Sequence, residues 1–353
     1  MYLFRRGASL SHSCSHCKGD TPGGVMNTIS RVLAVLDGTE EDANLVSKAI
    51  LLAWQHRASV ELFLCDSQGA YSLLRSYDQT NVAAFRRKSI LRSRHYLDGL
   101  RDIASAADVP VTIDAACESP LYEAIVRKVV ASRADFVMKS AASPNPRRRF
   151  ALDASDWQLM RACPVTLLLS RGKPWQLTPR CVAAIDVSAN EGSELPGTIL
   201  RTCTQLCHGS YRQLDVVYSE SGATPLAGTG SRVESLHALV GTAGIGADAG
   251  VHVLSGEPEL TLPGFAAARG CDVVVMGALT HLKGLAPLVG TLTSKLIESL
   301  DCDFVLVKPE GFRSDIELTT SSVEVGAEEP EYEILAQPTA ALGFVSPWQL
   351  PAR

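Results

Sequence analysis

No uninterrupted apolar run in this sequence reaches the roughly 18 residues that a membrane span needs, so no segment is expected to cross a bilayer. A strong excess of one charge is missing too. With 33 basic and 38 acidic side chains the formal net charge is −5, which gives no electrostatic reason to expect nucleic acid or an anionic membrane as a partner. The ten cysteines lack the spacing of a short disulfide framework. Cys65, Cys117, Cys163, Cys181 and Cys302 lie inside apolar segments, the pattern of buried thiols in a reducing cytoplasm, and a cytoplasmic location is expected. Signatures of catalysis and metal binding are equally scarce. No HExxH, GxSxG or paired Cys-x-x-Cys motif occurs in the region with folding pattern. Cys14 and Cys17, with His12 and His16, have the composition of a zinc corner, but no second ligand pair follows at a defined distance. Cys203 and Cys207 stand one helical turn apart beside His208 and read as thiols on an inner helix face. No catalytic residue and no metal are therefore expected, and the chain reads as a non-enzyme.

What is present is a pattern that occurs twice. "RVLAVLD", "VELFLC", "VPVTIDAAC", "DFVMK" and "VTLLLS" are short β-branched runs separated by amphipathic stretches, one of them a long helical stretch carrying Phe85, Leu97, Leu100 and Ile103. Runs that are apolar at every position belong to parallel strands covered by helices on both sides. "CVAAID", "LDVVYS", "GVHVLSGEP", "GCDVVVMG" and "LDCDFVLVKP" repeat the same order, with Asp186 answering Asp37, Pro258 answering Pro120 and Cys302 set against Cys163. A whole domain is duplicated. The boundaries expected are a disordered leader at 1–28, a first domain at 29–171, a linker at 172–179, a second domain at 180–310 and a disordered acidic tail at 311–353. The fold class expected is α/β, with two tandem doubly wound domains whose five-stranded, mainly parallel sheets pack as an internal pseudo-dimer across 165–170 and 304–308. That arrangement leaves room for a homodimer of whole chains.

One loop carries most of the chemistry. In a doubly wound sheet, ligands sit in the crevice beyond the carboxyl ends of the strands. Asp186 and the Met276–Gly277 pair fall at such ends. Gly277 lets the chain pass close to a ligand. Gly290 leaves backbone N–H groups open at the start of a helix over 291–300, where the helix dipole favours an anion. Thr291 and Thr293 add hydroxyls on the same rim, around Leu292. A bland reading fits equally: Gly277 ends a strand and Thr291 caps a helix. The first copy offers a control. Counted back from the cysteines, Ala151 and Leu152 oppose Gly290 and Thr291, while Ser140 opposes Gly277. Asp153 and Asp156 crowd the helix entry and repel phosphate. Arg147, Arg148 and Arg149 on that loop read as a solvated charge run.

These features resemble the universal stress protein family in its tandem-domain form. The resemblance rests on two α/β units, each opening with a strand that ends in Asp, and on "GCDVVVMGALT…VGTLTSKLIESLDCDFVLVKP". It covers roughly residues 30–310. It implies the Rossmann-like, adenine nucleotide alpha hydrolase-like fold and ATP or AMP as a ligand of the second domain. It carries nucleotide contacts onto Gly277, Thr280, Gly290 and Thr291, the adenosine end onto Asp186 and, less directly, the adenine edge onto Val216. Thr280 departs from the family's glycine, and Ala184 from its proline. The alternatives are a binder of lipid or another apolar molecule in a pocket between the halves, and, ranked last, a weak nucleotide hydrolase. The partner in every case is a small molecule.

Overall fold

The structure is a computed structural model and describes residues 29–74, 82–104, 108–141, 152–187, 194–220, 229–278 and 291–316. The leader, Arg147 to Arg149, Thr280, Gly290 and the tail beyond Ile316 lie outside these residues. The first half runs β1 (Arg31–Leu36), α1 (Asp42–His56), β2 (Ser59–Cys65), α2 (Ser67–Leu74), α3 (Val82–Ala104), β3 (Val111–Ala116), α4 (Leu121–Ser132), β4 (Phe136–Ser140), α5 (Ala154–Ala162) and β5 (Thr166–Ser170). The second runs β6 (Cys181–Ala184), α6 (Leu195–Leu206), β7 (Leu214–Glu220), α7 (Thr229–Thr242), β8 (Gly250–Ser255), α8 (Pro258–Arg269), β9 (Val273–Gly277), α9 (Thr291–Ser299) and β10 (Asp303–Val307).

All these strands join one 10-stranded sheet in the order β3-β2-β1-β4-β5-β10-β9-β6-β7-β8. Each half has the same internal order, and within a half every pairing is parallel. The halves meet where β5 and β10 pair antiparallel, with Phe304 opposite Leu169, Val305 opposite Leu168 and Leu306 opposite Leu167. Alternation of side chains sends Val32, Ala34 and Leu36 of β1 to one face and Leu33 and Val35 to the other. The first face carries α1, α3, α6 and α7, the second α4, α5, α8 and α9. Both cores cross the boundary between the halves, so the protein has two continuous apolar layers around one sheet.

The duplication extends to helix ends. α4 stops at Arg133 (φ 54°) and α8 at Gly270 (φ 60°), both left-handed, the turn that closes many helices. α5 and α9 match end to end and are followed by strands in the same register, Phe136 with Thr166 and Val273 with Asp303. This corrects the pairing of Cys302 with Cys163. Cys163 aligns with Leu300 and Cys302 with Val165, so Asp153 occupies the position of Gly290 and Ala154 that of Thr291. Two further expectations change. The long helical stretch after β2 is two helices, α2 and α3, and of the apolar residues on α3 Leu97 and Leu100 are buried while Phe85 is 42% exposed. Segment 171–180 is packed: Trp175 is buried, and Gln55 Nε2 of α1 donates to Leu177 O at 2.6 Å.

Buried charge holds the seam. Lys48 Nζ of α1 lies 2.6 Å from Asp303 Oδ2 at the start of β10, with both side chains 1% exposed. The same ammonium donates to Ser170 Oγ at 2.8 Å, and Asp303 Oδ1 accepts from the Arg171 backbone N–H at 2.7 Å. Burial pulls the Lys48 ammonium down and pushes the Asp303 carboxyl up, and each opposes the shift of the other. Beyond this pair the two halves cap each other. Arg171, which follows β5, donates through Nη2 to Ile297 O in the last turn of α9. Lys308, which follows β10, donates to Met160 O at 2.6 Å and Arg161 O at 3.0 Å in the last turn of α5. Cations at helix C-termini satisfy free carbonyls and complement the helix dipole. Burial brings the Lys308 ammonium down to about 8.

Removing one member of a buried pair strands the other charge. Lys48→Met should cost about 3–5 kcal/mol in urea unfolding. Adding Asp303→Leu should recover at least half of the loss, because the stranded carboxylate goes with it. A double variant no more stable than Lys48→Met would show that packing, not charge, dominates this site.

Candidate functional site

Strand order locates the crevices. β6 leads through α6 on one face of the sheet to β7, whereas β9 leads through α9 on the other face to β10. The chain therefore diverges between the carboxyl ends of β6 and β9, the usual place for a ligand in such sheets. The first half diverges in the same way between β1 and β4. Register brings the sequence candidates together at the second point. Ala184 pairs with Met276, so Gly277 and Asp186 stand just beyond the ends of adjacent strands.

The described rim of the first-half crevice carries carboxylates of its own. α5 begins with a reciprocal cap: Asp153 Oδ1 accepts from Asp156 N at 2.7 Å, and Asp156 Oδ2 accepts from Asp153 N at 3.2 Å. Lys139, at the end of β4, puts Nζ 2.7 Å from Asp156 Oδ1, and both side chains are buried. Burial raises the Asp156 carboxyl, and the Lys139 ammonium opposes the rise. Past β1, Asp37 is exposed and accepts from Thr39 N at 3.1 Å and Thr39 Oγ1 at 2.6 Å. Asp42 is fully buried and accepts from Asp37 N at 3.2 Å, Gly38 N at 2.9 Å and the Tyr96 hydroxyl at 3.0 Å. Burial, helped by the neighbouring Asp37 carboxylate, pushes Asp42 up to about 6. Every backbone donor that these contacts use already faces a carboxylate of the chain.

The second half differs at each matching position. Asp153 is replaced by Gly290, Asp156 by Thr293 and Lys139 by Met276. Thr293 is half-buried in the first turn of α9, and that turn contains no acidic residue. Met276 is buried, and Asp186 is exposed at the strand end. A Cβ on Gly277 would stand 2.5 Å from Leu195 Cδ2, so close approach by the first residue of α6 also calls for glycine there. Val216 does not reach the crevice. It lies inside β7 with no exposure, between Ala183 and Val251, four residues before the strand ends at Glu220. Thr280 and Gly290, with the side chains of Thr291 and Leu292, fall outside the described residues.

Sequence reading missed several groups at these strand ends. Tyr218 and Glu220 in β7 both bind Arg232 of α7: Nη1 donates to the Tyr218 hydroxyl at 2.5 Å, and Nε lies 3.1 Å from Glu220 Oε1. Lys139 and Asp42 were missed as well. Their partners lie on other elements, and only "DGTEED" carried a local hint, an acid near the start of α1. Cys203 on α6 and Cys207 just past its end are buried, as expected. Among the described residues, no group of three or more His, Cys, Asp or Glu is placed to hold a metal ion. No described helix is long and apolar enough to cross a membrane.

Comparison with known proteins agrees with this architecture. No protein-family model matches the chain. Universal stress protein E of Escherichia coli strain K12 is 21% identical over 311 residues, which covers 83% of this chain and 98% of that protein. A functionally unknown protein from Pseudomonas aeruginosa PAO1 has a similar fold, with a TM-score of 0.60 at 19% identity over 80% of this chain and 94% of its own. A universal stress protein from Archaeoglobus fulgidus DSM 4304 gives 0.58 at 11% identity, over 79% and 98%.

The Asp42 carboxyl makes a prediction about pH. The folded chain takes up this proton near pH 6, the unfolded chain near the ordinary 3.8, so stability rises as pH falls through that window. Asp42→Asn has no such proton. From pH 7 to pH 4 the parent should gain up to about 3 kcal/mol relative to the variant in denaturant unfolding. A constant difference between the two would show that Asp42 titrates normally.

Proposed function

We propose that this chain, a distant tandem-domain homologue of universal stress protein E, is a cytoplasmic stress-response protein that binds an adenine nucleotide, ATP or AMP, in its second half and does not turn it over. The observation that carries the proposal is the contrast between α5 and α9. Both helices open at a point where the chain diverges. α5 ties the N–H groups of its cap residue Asp153 and of Asp156 to its own carboxylates, whereas α9 has no acid in its first turn. A helix N-terminus without an internal anion is a good place for an external one. Asp186, just beyond the end of β6, is assigned to the ribose by the family pattern. The domain limits proposed are 29–171 and 180–310, joined through the segment at 172–179.

Binding without chemistry suffices for a sensor, because a ligand shifts a protein between conformations through differential affinity alone.

Calorimetric titration of the full chain with ATP and AMP tests the proposal. Gly290→Asp should abolish binding while leaving the unfolding midpoint nearly unchanged, since Asp is a good helix cap. Thr280→Gly should tighten binding. Asp153→Gly in the first half should create no second site, because Asp156 and Lys139 remain. If the parent and Thr280→Gly both fail to bind at millimolar nucleotide, the glycines are structural. A fatty acyl probe then tests the apolar-ligand alternative.

A further inference from the structure

Two blocks of opposite charge stand apart in this chain. Residues 317–353 contain Glu317, Glu324, Glu328, Glu329, Glu331 and Glu333 against Arg353 alone, so this segment carries the whole formal charge of −5. The opposite block is the first part of α3, where Arg86, Arg87, Lys88, Arg92 and Arg94 occur before the first carboxylate, Asp98. Phe85, Lys88, Arg92 and His95 follow each other at three- and four-residue spacing and share one helix face. All four are exposed, and Tyr71 on the neighbouring α2 is 55% exposed. The inner face of α3, with Ile90, Leu97 and Leu100 buried, already accounts for its packing. The described ion pairs of this block are long and near solvent: Arg92 lies 3.7 Å from Asp66, and Arg94 lies 3.6 Å from Asp114. Exposed pairs of this kind hold little. α7, the counterpart in the second half, has no such row of cations.

We infer that the α2–α3 face is a docking surface for the chain's own acidic segment 328–335, Glu-Glu-Pro-Glu-Tyr-Glu-Ile-Leu. The match has two parts. Glutamates interleaved with Tyr332, Ile334 and Leu335 meet cations interleaved with Phe85 and Tyr71. Charge sets the orientation, and burial of the aromatic rings supplies affinity. Length permits the contact. The described chain ends at Ile316, packed against the core, and the dozen residues to Glu328 span about 40 Å when extended. Ile316 packs in the layer opposite α3, so the path combines five strand spacings from β10 to β3, about 24 Å, with about 20 Å from one helical layer to the other, which the roughly 50–60 Å of extended chain from Ile316 to Tyr332 covers. A tethered segment acts at an effective concentration near millimolar, so weak pairs suffice.

Zero-length carbodiimide coupling of the full chain at low micromolar concentration, read by mass spectrometry, tests the contact. Lys88 should couple to Glu328, Glu329, Glu331 or Glu333 within a single chain. Amide hydrogen exchange over residues 82–96 should quicken at least threefold in a Glu328→Gln, Glu329→Gln, Glu331→Gln, Glu333→Gln variant. It should quicken similarly for the parent in 0.5 M salt, which screens exposed charges. Coupling of Lys88 only to body carboxylates, or only between two chains, overturns the inference. So does exchange over 82–96 that the four substitutions leave unchanged.

Discussion

The antiparallel pairing of β5 with β10 is the contact on which the remaining structure depends. The three opposed pairs there are buried leucine, valine and phenylalanine side chains that belong to both apolar layers. A slip of one residue would turn each to the wrong face of the sheet. Apolar pairing alone specifies that register loosely. The polar contacts around it specify it tightly: Asp303 must meet both the Lys48 ammonium and the Arg171 N–H. A buried charge without its partner is costly, so any other register is penalised at the point where β5 ends and β10 begins. The buried pair is better understood as a fastener of register than as a source of net stability.

The same seam controls the ends of the two helices that face the crevices. Each of α5 and α9 is held at its C-terminus by a cation from the opposite half, Lys308 or Arg171. A helix of the length of α9 spans about 14 Å. Its N-terminus, where an anion would sit, is therefore positioned partly by a side chain from the first domain. A duplicated fold whose copies had separated would lose that support in both directions. The first half, whose helix entry is capped by its own carboxylates, serves as the platform for the second.

Much of the fold was legible because parallel strands buried on both faces leave unbroken apolar runs, and because each run occurs twice. Asp37 and Asp186 do occupy equivalent ends, as their matching words implied. The errors share a cause. Cys163 and Cys302 match in residue type but not in register, and pairing them shifts the helix entry by two positions, from Asp153 to Ala151. Phe85 is apolar, yet its spacing from Lys88, Arg92 and His95 places it on the outer face of α3. Val216 followed the family pattern to a position the sheet buries. Lys139 with Asp156, and Leu195 over Gly277, were invisible because the members are remote in sequence and meet only through the crossover connections. Local pattern finds strands; contacts between elements need the topology first.

The contrast between the two crevices reduces to one question of hydrogen bonding. The first N–H groups of any helix lack partners inside it and must find an acceptor elsewhere. α5 finds Asp153, and the buried Lys139 then neutralises the Asp156 carboxylate that shares the cap. Restoring an external anion there would require removing two negative charges and would leave Lys139 buried without a partner. At α9 the same positions carry glycine, threonine and methionine, none of them charged. Losing the internal acceptor together with its balancing lysine keeps the second half electrically consistent, whereas losing either alone would strand a charge. The joint absence of all three ionisable groups is what a crevice needs if its acceptor is to arrive from solution.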